Sequence, residues 1–242
     1  MVRWSRLVLV LLACFGAPSA ACADDQVTID RVFSSWAKPK GLVTIRHMAY
    51  CVVDRHPHAA QTIVREMGAD SDLQARSGQL IDSKCVKQYF FRVSATRISS
   101  PVYLPLLAEA LLLRDYGGQL PDVAHVKQQD HPALPEVELD GVHPRYREAF
   151  LVDRTLHRLN LVADCGARTA PDNVFNLART SPDSIDENKA LGALEHSISA
   201  CGGNDLTYKF PTFVWRGALV INLYRLVDAA RPVAHPEVNS GA

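Results

Sequence analysis

Apolar residues recur every three or four positions along most of this chain, the pattern of helices that bury one face. From Gly41 to Arg55 they fall at Leu42, Ile45, Ala49 and Val52 or Val53. Pro57 then stands where proline starts a helix well, and Ala60, Ile63, Val64 and Met67 carry the spacing on. Leu73, Leu80, Ile81 and Cys85 mark a third helix. A fourth runs from about Tyr103 to Asp115 and stops at Gly117-Gly118. A second set follows. Arg145 to Asp164 carries Val152, Leu156, Leu159 and Ala163, and Pro171 to Arg179 comes next. Ile185 to Cys201 keeps Leu191, Leu194, Ile198 and Cys201 in register, and Phe213 to Ala230 closes the series. The best strand candidate, Leu206 to Val214, is interrupted by Pro211. The pattern predicts an all-α fold.

The two sets match at fixed offsets. Cys51 and Cys85 are 34 apart, Cys165 and Cys201 36 apart. Pro57 and Pro171 each follow the first cysteine by six residues, and Arg65 and Arg179 by fourteen. Further on come Asp70-Ser71-Asp72-Leu73 and Asp183-Ser184-Ile185-Asp186, then Pro101 and Pro211, then a long apolar stretch in each half. Ordered self-similarity of this kind is the signature of a duplicated unit. The expected organisation is two similar four-helix units, residues 41–116 and 145–230. A Pro-rich linker, 117–144, joins them; residues 24–40 and 231–242 read as loose ends. Four cysteines allow three pairings. Duplication favours Cys51–Cys85 and Cys165–Cys201, with the first cysteine of each pair at the end of a unit's first helix and the second at the end of its third.

The opening 23 residues differ from the rest. Arg3 and Arg6 precede an unbroken apolar run, Leu7 to Phe15, and Ala21-Cys22-Ala23 supplies small residues before Asp24. These are the three parts of a secretory signal peptide, with a run too short to span a bilayer. Lipidation at Cys14 or Cys22 fits the anchor motif poorly. The expected location is the periplasm or the medium, where paired cysteines oxidise. The whole chain of 242 residues carries 26 basic and 26 acidic side chains; without the leader the balance is −2. That balance argues against a bulk electrostatic grip on nucleic acid. No later apolar run is long enough to predict a transmembrane helix.

The leader, the Cys-x5-Pro helix pair, the second cysteine about 35 residues on and the closing Arg216–Leu226 segment (RGALVINLYRL) resemble small exported proteins of sphingomonad-type alphaproteobacteria. The resemblance covers most of the mature chain. It implies export and a helical fold, but no activity and no catalytic residues.

Candidate chemistry is sparse. The chain has no Gly-x-Ser-x-Gly, His-Glu-x-x-His, Gly-rich phosphate loop or EF-hand spacing, and no closely spaced cysteine pair. No cofactor and no metal are therefore expected. His56 and His58 flank a helix start and form the nearest approach to a metal pair, although two ligands make a weak site. Arg65 and Arg179, the matched charges, have the chemistry to clamp a carboxylate or phosphate, or else to pair with an acid or cap helix carbonyls. Asp164 beside Cys165, with His157 upstream, does not make a reactive thiol if Cys165 is oxidised. Trp215 reads as core; Trp36 and Tyr224 are candidates for a binding surface. Three function classes remain. The first is a periplasmic interaction or structural module whose partner is another periplasmic protein; the others are a carrier with an apolar pocket between helices and an enzyme with a dispersed site. The oligomeric state is not legible.

Overall fold

A computed structural model describes residues 39–66, 80, 82–89, 100–127, 143–204, 206 and 210–231. The described helices, in chain order, are α1 (Pro39–Arg55), α2 (Pro57–Glu66), α3 (Ser83–Tyr89), α4 (Ser100–Tyr116), α5 (Pro144–Thr169), α6 (Pro171–Arg179), α7 (Ile185–Gly192), α8 (Glu195–Ala200) and α9 (Thr212–Ala229). No strand occurs among the described residues, so the all-α expectation holds. Residues 1–23, expected to be a leader, and Trp36, Met67, Leu73 and Ile81 lie outside them.

Helices α4 and α9 form the centre. Both are apolar almost all round, which requires neighbours on every side. They pack on each other, α1 packs on α4, and α5 packs on α9. The amphipathic helices α2 and α6 lay their apolar faces on α4 and α9 respectively, while α3 sits on α1 and α8 on α5. Leu107, Leu111, Leu112, Leu219, Leu223 and Tyr224 are fully buried along the central pair. The pair meets tightly at Gly217, where a β-carbon would stand 3.1 Å from the ring of Pro105; only a residue without one lets the helices meet there undisturbed.

Both disulfides form as the spacing suggests, Cys51–Cys85 and Cys165–Cys201, each with α-carbons 5.8 Å apart. Two details differ from expectation. Cys85 lies near the start of α3, because the Asp82 carboxylate accepts the backbone N–H groups of Lys84 and Cys85 and so caps a new helix there. The predicted helix from Ile185 to Cys201 breaks after Gly192, the weakest helix former in the run, and Leu194 turns fully into the core. Beyond the break, α8 ends in a Schellman motif: Gly202 has φ +82°, its N–H reaches Ser199, and Gly203 N–H reaches Ile198. Helix α5 runs on to Thr169, past the predicted Asp164, so Cys165 lies inside it. Part of the predicted linker is docked. Val123 is buried in the core, and Arg168 of α5 donates to the Val126 carbonyl at 2.6 Å.

Candidate functional site: a buried ion network under an apolar recess

Four charged side chains converge where α1, α4 and α9 meet the end of α6. Glu109 of α4 and Arg216 of α9 are 1% and 3% exposed. Arg216 Nε donates to Glu109 Oε2 at 2.8 Å, and Nη1 to Glu187 Oε1 at 3.1 Å. Arg46 Nε of α1 donates to the other oxygen of Glu109 at 2.6 Å, and the Tyr50 hydroxyl donates there too, at 3.1 Å. Two guanidinium groups thus face two carboxylates. Burial, and then the Glu109 charge, push the Tyr50 hydroxyl well above its usual range, so it stays a donor.

Local structure explains why the charges lie here. Helix α6 ends at Arg179 and leaves unpaired carbonyls. Arg216 donates to those of Ala178 and Thr180 and to the Thr180 hydroxyl; Arg46 reaches Ala178 as well. Helix α7 opens with Ser184 capping Glu187 N–H, while Glu187 Oε2 reaches back to Asp183 N–H at 2.7 Å, close to a capping box. Asp183 takes φ +60°, a conformation that aspartate tolerates better than most residues. One carboxylate therefore caps a helix and pairs with Arg216. The network ties α1, α4, α6, α7 and α9 together with its donors and acceptors engaged.

Above it lies a shallow recess open to solvent, with room for about one water molecule. Leu42, Val102, Leu106, Phe213 and Val220 form apolar walls, and Glu109 and Arg216 are the polar groups at its edge. Because that pair satisfies itself, the recess presents mainly apolar surface.

The residues singled out from sequence scatter. Arg65 of α2 makes two hydrogen bonds to Asp228 of α9, and Arg179 donates to the Gly117 carbonyl at 2.7 Å while stacking over Phe175. Both take the pairing and capping roles. His56 Nε2 lies 2.8 Å from Asp82, which also accepts from Arg55 Nε at 2.8 Å; His58 is exposed. Among the described residues no cluster of three His, Cys, Asp or Glu is placed to hold a metal. Asp164 is buried and held by Arg168 through both oxygens, and Cys165 is in a disulfide. Trp215 is core and meets Phe210 edge-on; Tyr224 is fully buried and not a surface residue. Sequence reading passed over Arg46, Glu109, Glu187 and Arg216. The available signal was an acid, Glu109, and an arginine, Arg216, each set within an apolar stretch of its helix.

Compared with protein-family models, curated proteins and solved structures, the chain matches none. Among the described residues no helix is long and apolar enough to cross a membrane.

Proposed function

We propose that the protein is an exported, disulfide-stapled helical module that binds another periplasmic protein, built from two copies of one unit. The observation that carries the binding reading is the start of α5. This helix has 26 residues against the 18 of its main partner α9, so it is longer by about 12 Å. Tyr146 is 71% exposed, and Phe150 and Leu151 are half-buried. None of Tyr146, Phe150, Leu151 and Val152 belongs to the main core cluster, which α5 joins only from Leu156 onward. Aromatic and aliphatic groups held on a rigid helix are the usual anchors of a protein interface.

Two disulfides support an oxidising compartment. The duplication is supported by matched packing: α1 and α2 lie on α4 with α3 on α1, and α5 and α6 lie on α9 with α8 on α5. A photo-crosslinking residue at position 146 tests the binding role in living cells. One discrete adduct is expected, and none from exposed Lys189. Equal labelling at both positions, or none at 146, rejects the interface.

A further inference from the structure

Covalent and non-covalent ties divide the molecule differently. Both disulfides close within a half, 39–127 or 143–231. The polar clamps cross between halves, and they do so reciprocally. Arg65 of the first half grips Asp228 near the end of α9. Arg179 of the second half grips the Gly117 carbonyl just past the end of α4. Tyr116 donates to the Val227 carbonyl at 3.2 Å, and Arg231 bonds Asp115 at 2.9 Å. In the middle, Glu109 of one half is neutralised by Arg216 of the other, both buried. Apart, each half would expose a helix that is apolar all round and lose the buried Glu109–Arg216 bond, with Glu109 left to Arg46 and Arg216 to Glu187.

We infer that the α4–α9 seam is a dimer-type interface folded into one chain: the two halves are each other's binding partner and stay paired without a peptide link. The features are those of an obligate interface, with an apolar centre, a close-packed crossing at Pro105 and Gly217, and charge pairs complementary across the seam. The inference rests on these contacts alone and stands apart from the role given to Tyr146.

The full oxidised chain carrying a protease site between residues 130 and 140 provides the test. After cleavage it should elute as one species with the mass of the uncut chain. A denaturing gel without reductant should separate two fragments, and dilution from urea should restore the pair. In the cut protein, Arg65→Ala and Arg179→Ala should each raise the dissociation constant two- to fivefold, as expected for exposed clamps. Gly217→Leu, which drives a side chain into Pro105, should part the halves while the uncut variant shows whether the fold survives. Fragments that separate in native buffer at micromolar concentration overturn the inference. So does a dissociation constant that neither arginine variant changes.

Discussion

Arg65 and Asp228 stand 163 residues apart in the chain and form a two-bonded ion pair, Nε to Oδ2 and Nη2 to Oδ1, each at 2.5 Å. The pair fastens α2 to the last turn of α9. Arg65 is half exposed, so its worth is that of a surface pair. Arg65→Ala should lower stability by about 0.5–1 kcal/mol in chemical denaturation. A double-mutant cycle with Asp228→Ala should recover a coupling of that size, and additive losses would deny the pair any role.

Arg216 is a far costlier side chain to lose. Its removal leaves Glu109 and Glu187 buried without their shared cation. Arg216→Met should destabilise the protein by about 3–5 kcal/mol, measured by urea unfolding. Glu187→Gln in the same chain should recover part of that loss, because Glu109 keeps Arg46 while Glu187 is the carboxylate left without a cation.

The disulfides should act independently. Cys85→Ser should leave Cys51 as the reactive thiol while Cys165 and Cys201 stay protected, and each bond should contribute about 3–4 kcal/mol in the chain-entropy account. Thiol titration and the melting point check both parts. Labelling of Cys165 or Cys201 in that variant would show exchange between the two bonds.

Asp82 sets an acid limb. Arg55 first, then His56, hold its carboxyl well below the usual carboxylate range. A depressed folded pKa gives stability that is present above the unfolded value, about pH 4, and is lost as pH falls further. Asp82→Asn should therefore flatten the stability profile below pH 4 and weaken the start of α3 at neutral pH. An unchanged acid limb in this variant would place the acid sensitivity elsewhere.

Tyr224 is fully buried, and its hydroxyl has no hydrogen-bond partner among the described residues. An unpaired buried polar group costs more than it contributes. Tyr224→Phe should leave the melting point unchanged or raise it by a few degrees, read by calorimetry. A clear loss would reveal a partner for the hydroxyl.

The sequence by itself determined that the chain is helical, where most of the helices lie, and which cysteines pair. Ala60, Ile63 and Val64, like Leu156, Leu159 and Ala163, recur at helical spacing, and such periodicity is a local property that folding against any apolar surface satisfies. Cys51–Cys85 and Cys165–Cys201 followed from nearly equal spacing, 34 and 36 residues, in two like segments. What only the tertiary structure decided is how those helices meet. Arg46, Glu109, Glu187 and Arg216 are far apart in sequence, and nothing local shows that burial will bring them within hydrogen-bond reach. Arg65 and Arg179 were visible as matched charges, but each finds its partner in the opposite half. Charge pairing depends on distance through space, which periodicity along the chain does not encode.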